Sequence, residues 1–372
     1  MTTEGVILNS SQPEHQNAGQ SNAEQLKAAR QARYSPGQSA HKFSLYLYPL
    51  VALALLLLVN LLLDPQFFSL QWQDGRLYGP LIDIVNRSAP VALLAIGMSL
   101  VIATGGIDLS VGAVMAICGA VCANLLVLGD WSIPAVIGLA VLTGLACGLL
   151  NGFMVSYLGI QPIVATLVLM VAGRGVAQLL NQGQIVTFQN PDFAALGSGS
   201  FLGLPVPVWL VLLALLIMQL LLRRTALGLF IEAVGCNAKA SRYLGIDDRG
   251  IKLTVYLLAG GCAALAGIIA TADIQGSDAN NAGLWLELDA ILAVVIGGAA
   301  LTGGRFSLPR AVIGVLIIQA LSTTIVVSGL PSKFNLLIKA LVILLVLMLQ
   351  SELFRNQLKA LFSFGKARGG KA

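Results

Sequence analysis

Long apolar runs separated by short polar stretches fill most of this chain. They cover residues 45–63, 84–103, 109–128, 133–155, 163–180, 207–222, 253–271, 288–301, 311–328 and 334–349. A helix crosses a bilayer with about 20 mainly apolar residues, and all but the short 288–301 run approach that length. Lipid leaves no water for unpaired backbone groups, so such runs must be helical. The pattern predicts an all-α fold: a polytopic integral membrane bundle of about ten transmembrane helices spanning residues 43–350. Trp72 and Tyr78, in the polar stretch after the first run, suit a membrane–water boundary.

Two polar interruptions stand out. Thr104-Gly105-Gly106-Ile107-Asp108-Leu109-Ser110 lies between the second and third runs, and Thr302-Gly303-Gly304-Arg305 follows the eighth. Glycines and a carboxylate are costly beside hydrocarbon. Matching interruptions in the two halves point to an internal pseudo-repeat and a translocation pathway. Thr104, Gly105, Gly106, Asp108 and Ser110, with Thr302, Gly303, Gly304 and Arg305, are the pathway candidates. Helix breaks offer backbone donors and acceptors that suit a neutral polyhydroxyl solute. Asp108 and Arg305 could pair across the repeat, lowering the cost of both. The alternative is a pair of interfacial turns with hydrated charges. Gly144, Gly148 and Gly152 fall on one helical face, where another backbone can approach. Arg174, inside the fifth run, could snorkel near a helix end or pair with a carboxylate.

Composition agrees with the pattern. Of 372 residues 57% are hydrophobic and 10% charged, with mean hydropathy +0.84. A soluble domain carries about 25% charged residues. The five cysteines have no metal-ligand spacing and read as free thiols. The two histidines, His15 and His41, lie in a polar leader. No catalytic site, metal site or cofactor is expected, and a membrane enzyme finds no support. Net charge of +5 is small and gives no reason to expect nucleic acid.

Charge placement sets the orientation. Most of the 22 Lys and Arg residues fall in the leader, the 223–252 stretch, the Arg305/Arg310 turn and the basic tail. An even number of crossings puts these on one side, the cytoplasm by the positive-inside rule. The leader, 1–42, reads as a disordered cytoplasmic segment and 351–372 as a basic cytoplasmic tail. The stretches 64–80, 129–132, 181–206 and 272–287 then face outward. Asn86, Asp278, Asn280, Asn281, Trp285 and Glu287 lie towards that side. They could guide a solute or contact an external partner, or be ordinary interface residues. Lys333 and Lys339 are exceptions near the last outer turn and could snorkel.

The 223–250 stretch is too polar to span. Glu232-Ala233-Val234 could close one short helix at Gly235. Asn237 suits the N-cap of a second, Ala238 to Leu244, stopped by Gly245. A short helix along the membrane surface can dock in a groove of a soluble protein; a solvated linker is the alternative.

This stretch resembles the coupling segment of ATP-binding-cassette importers, in the form used by the ribose/galactose-type sugar permeases. Residues 104–112 are also similar to that family's most recognisable segment, and the resemblance covers about 45–350. The runs 83–98 and 278–289 resemble membrane subunits of the galactofuranose-importer subgroup, whose close relatives are also assigned to arabinose. The resemblance implies a permease subunit moving a monosaccharide. It implies a cytoplasmic ATPase, a second permease subunit (a copy or a homologue), a periplasmic sugar-binding protein and a bacterial inner membrane as surroundings. Glu232, Ala233, Gly235, Asn237, Ala240, Arg242 and Gly245 would couple to the ATPase, and the outer residues would meet the binding protein. The chain lacks a Gly-x-x-x-x-Gly-Lys-Ser/Thr phosphate loop, so hydrolysis falls to the partner. An ion-coupled secondary sugar transporter is the alternative; it has no need of the 223–250 loop.

Overall fold

The computed structural model describes residues 37–350 apart from positions 74, 330, 332 and 333. The leader up to residue 36, Lys333 and the basic tail therefore lie outside the described residues. Helix α1 (Gly37–Leu63) contains Pro49, where the chain divides into two units; the bundle belongs to the second. A β1–β2 hairpin (Gln71–Gln73, Arg76–Tyr78) leads to α2 (Pro80–Ala103), α3 (Val111–Leu128), α4 (Ile133–Ser156) and α5 (Pro162–Leu180). Then come β3 (Val186–Thr187), α6 (Pro191–Ser198), β4 (Ser200–Phe201), β5 (Leu204–Pro205), α7 (Val206–Arg224) and α8 (Leu227–Tyr243). The rest is α9 (Asp248–Ile274), β6 (Gly276–Ser277), α10 (Leu286–Ile296), α11 (Leu308–Val327) and α12 (Asn335–Gln350). Proline opens many helices, among them α2, α4, α5 and α11, where its missing N–H costs nothing.

Among the described residues, eight helices are long and apolar enough to cross a membrane: α1, α2, α3, α4, α5, α7, α9 and α11. That revises the expected ten. The 288–301 run yields only the 11-residue α10, which at about 1.5 Å per residue reaches roughly half a bilayer core. The last run gives a helix of 16 residues. The short α10 is completed by the chain before it. Ser277 lies beside Gly119 of α3, and Gly283 packs backbone to backbone on Gly112, about two turns along the same helix. Residues 277–283 thus run down α3 before α10 begins. Gly304 ends the traverse, its N–H bonded to Ala103 O at the end of α2 (2.9 Å). A re-entrant segment plus a half-length helix does the work of one span.

Side chains cannot drive helices together through hydrophobicity in lipid, so close backbone packing must. The expected glycine face of α4 provides it. Gly144 and Gly148 meet α9 at Gly260 and Tyr256 O, and Gly152 meets Leu253. Gly97 of α2 packs on Ala259 of α9 in the same way. Accordingly α2, α3 and α9 are the buried centre, while α4, α5 and α7 turn rows of Leu and Val outward. The loops 64–80 and 181–206 gather at one end: Arg76 donates to Ser198 O (2.7 Å), Leu77 N–H to Gly203 O (2.9 Å), and β3 pairs with β6. Lys339 of α12 does not snorkel; it bonds Asp289 of α10 at 2.7 Å, both largely buried.

Candidate functional site

The first Thr-Gly-Gly is a helix ending. Gly105 takes φ +79°, and Gly106 N–H reaches back to Val101 O (3.1 Å), closing α2 with a left-handed cap. Thr104 Oγ1 donates to Val101 O (2.8 Å). The chain then folds into a polar knot. The Asp108 carboxylate, 2% exposed, accepts from Ser110 N–H (2.8 Å) and Ser110 Oγ (2.6 Å). Asn151 of α4 donates to Ser110 Oγ (2.7 Å), and Thr166 of α5 accepts from Leu109 N–H (3.1 Å). Burial pushes the Asp108 carboxyl up from the usual carboxylate range, and the Ser110 bonds pull partly against it. Asn151, Thr166 and Tyr256, whose hydroxyl lies against Gly106, were missed by the sequence reading. Their only signal was a polar atom inside an apolar run.

The second Thr-Gly-Gly meets the first directly. Gly303 and Gly304 have φ +94° and +99°, and a Cβ on Gly303 would come within 2.9 Å of both Gly105 N and Gly235 O. Gly235 itself abuts Ala103 O and Gly304 N, so no side chain fits there. Both helix breaks and the polar loop therefore converge in one clasp. Arg305 and Thr302 remain exposed, and the expected Asp108–Arg305 pair does not form. Asp108 turns inward to Ser110, and Arg305 points away.

Helix α8 bends at Asn237 (φ −161°, ψ 98°), whose Oδ1 accepts from Ala240 N–H (3.0 Å). Gly245 (φ +82°) ends the second half, with Ile246 N–H bonded to Ser241 O. This is the two-helix form that the local sequence predicts. Glu232 and Ala233 are half-buried and Ala240 is exposed. Arg242 forks onto the buried Asp248 through Nε (2.8 Å) and Nη2 (3.0 Å), which raises the guanidinium's affinity for its proton. Tyr243 and Leu244, 92% and 81% exposed, form the apolar tip of the hairpin and were not singled out from sequence. Between this hairpin and the knot lies a cavity of about 480 Å³, lined by Thr104, Gly105, Gly106, Ser156, Lys252 and Tyr256 among others.

At the opposite end the re-entrant segment is pinned on all sides. Asp278 accepts from the N–H groups of Asn280 (3.0 Å) and Asn281 (3.3 Å) and from Asn281 Nδ2 (2.7 Å). Arg174 takes neither expected course: it donates to the backbone carbonyls Ala279 O and Ala282 O and so clamps this turn. Asn280 accepts from Gln178 (2.8 Å), and Asn181 donates to Ser277 O and Oγ (both 3.0 Å). Trp285 is half-exposed at φ +67°. Glu287 is only 8% exposed and faces Gly112. The 272–287 stretch is thus mixed: residues 273–275, Asn280 and Trp285 stay exposed, while Ser277, Ala279, Gly283 and Glu287 are packed into the bundle. Asn86, Asp278 and Asn281 line a cavity of about 360 Å³ there, with Arg87 and Asp273; Asn280, Trp285 and Glu287 do not.

Residues 81–347 match the family described as "Branched-chain amino acid transport system / permease component". The chain belongs to this permease family. The permease is 59% identical to the galactofuranose transporter permease of Escherichia coli K12 over 85% of its own length and 93% of that protein. It is 38% identical to a fructose import permease of Bifidobacterium longum over 83% of its length and 88% of the relative's. To the ribose import permease of E. coli K12 it is 37% identical, covering 82% of its length and 92% of the relative's. The resemblance drawn from the 104–112 and 223–250 segments agrees with these matches.

Proposed function

We propose that this permease is the membrane subunit of an ATP-driven importer that carries a monosaccharide into the cytoplasm. The observation that carries the reading is the 59% identity to a galactofuranose permease over nearly the whole of that relative. That makes galactofuranose the first candidate and a pentose such as arabinose the next. The kinked hairpin of α8 supports an ATPase on the same side: two capped half-helices present an exposed tip, and their rear face touches both Thr-Gly-Gly segments. Closing of an ATPase pair would move α8 and, through the clasp, shift the knot at Asp108 and Ser110. Glu232, Ala233, Asn237, Ala240, Arg242 and Gly245 form or hold that hairpin. Thr104 to Ser110 and Thr302 to Arg305 would border its inner passage, of which Thr104, Gly105 and Gly106 line the cavity of about 480 Å³. A periplasmic binding protein would dock at the β1–β2 end, near Asn280 and Trp285, and a second permease subunit would cover part of the apolar flank. In this arrangement the permease spans the bacterial inner membrane with both termini in the cytoplasm.

The test is uptake of radiolabelled galactofuranose, arabinose and ribose in cells lacking this subunit, with and without its return. Restored uptake that survives an uncoupler and stops on ATP depletion is the expected result. Uptake that follows the proton gradient instead would sink the reading and favour an ion-coupled carrier, for which the relatives give no support.

A further inference from the structure

The cavity at the β1–β2 end has the chemistry of a sugar site, and we infer that the permease binds one neutral monosaccharide there itself. The inference rests on the import reading and places a ligand within one subunit. The cavity descends between α2, α3, α9 and the re-entrant segment, from Asn86 and Arg87 near its mouth to Met115 and Gly283 at its floor. Its volume of about 360 Å³ is at the small end of ligand pockets, which span roughly 300–1,000 Å³, and suits a single sugar ring.

One buried polar group lacks a partner, and two exposed charges line the same cavity. Arg87 and Asp273 line the same cavity with opposite charge, yet they form no ion pair. The Asn86 side-chain oxygen is buried without a donor. Buried acceptors without partners are costly, and a turn of the Asn86 amide onto the cavity it lines would let a ligand hydroxyl satisfy this one. A carboxylate accepts two neighbouring hydroxyls, a guanidinium donates to ring or hydroxyl oxygens, and the apolar floor at Met115 suits a C–H face. Arg87 and Asp273 cancel, and Asp278 spends its oxygens on its own turn, so a phosphorylated sugar finds no net positive charge. Below the floor the Gly112–Gly283 contact closes the way to the Asp108 knot. Sugar held here waits on the outer side of a backbone seal.

The experiment uses the complete transporter in lipid nanodiscs with the sugar-binding protein omitted. Galactofuranose, arabinose and ribose serve as probes, read by saturation-transfer NMR. One of them should bind saturably, and D273N and R87Q should each weaken it roughly tenfold or more, the loss of one charged hydrogen bond. As a second measurement, Asp273→Cys at the exposed mouth should react with a maleimide more slowly when that sugar is present. No binding by the native transporter, with uptake intact when the binding protein is returned, overturns this site and leaves the import reading standing. Binding without uptake of any sugar keeps the site and overturns the import reading.

Discussion

Asp108 is the residue whose environment departs furthest from what its chemistry prefers. It is a carboxylate without a cation, held by Ser110 and indirectly by Asn151. Because burial raises its pKa, ionisation works against the fold. The cost is absent below the ordinary carboxylate value of about 4, grows as pH rises towards the folded pKa, and is complete above it. Asp108→Asn keeps the acceptor oxygen and removes the charge. The melting temperature of the native permease, measured in detergent against this variant, should therefore fall as pH rises from that value. A difference that is flat with pH would contradict the assignment. Gly235 gives a second outcome at this scale. A Cβ there overlaps Ala103 O, so Gly235→Ala should cost about 1–3 kcal/mol and depress uptake while the ATPase still co-purifies. Loss of the ATPase instead would return Gly235 to the docking surface. Polar residues such as Asp108 were legible because lipid makes them conspicuous. Their partners were not, since Asn151 and Thr166 reach the knot from helices whose rotation no local pattern sets.

At the scale of elements, the α8 hairpin was the most legible part of the chain. Asn237 and Gly245 act on backbone groups within a few residues, so their sequence signals and their bonds coincide. Asn237→Ala should destabilise the second half-helix by about 1 kcal/mol. Changing both Tyr243 and Leu244 to Asp should release the ATPase on co-purification without lowering the thermal stability of the permease, because both side chains are exposed. A stability loss equal to that of a core substitution would show that the tip is packed. The re-entrant segment was the least legible element. Residues 272–287 are polar enough to read as an outer loop, and what draws them inward is distant: Arg174 on α5, Asn181 beyond it, and Gly112 on α3. Cysteine scanning separates the two descriptions. Asn280→Cys should label with an impermeant maleimide added outside intact cells, and Glu287→Cys should not; equal labelling would put the stretch back on the surface.

For the whole molecule, helix number was nearly right for a reason that differs from the one expected. Ten apolar runs gave eight helices of spanning length among the described residues, and two shorter ones, α10 and α12. The short α10 has an implication for how the chain is made. Leu286 to Ile296 is too short to be handed to lipid as it leaves the ribosome, and it bears Glu287 and Asp289. The counter-ion for Asp289 is Lys339, synthesised only with the final helix. A nascent chain halted before residue 339 should hold its α10 region at the translocon, open to protease, and release it once that lysine arrives. Lys339→Met would then prolong the exposed stage in the full-length product.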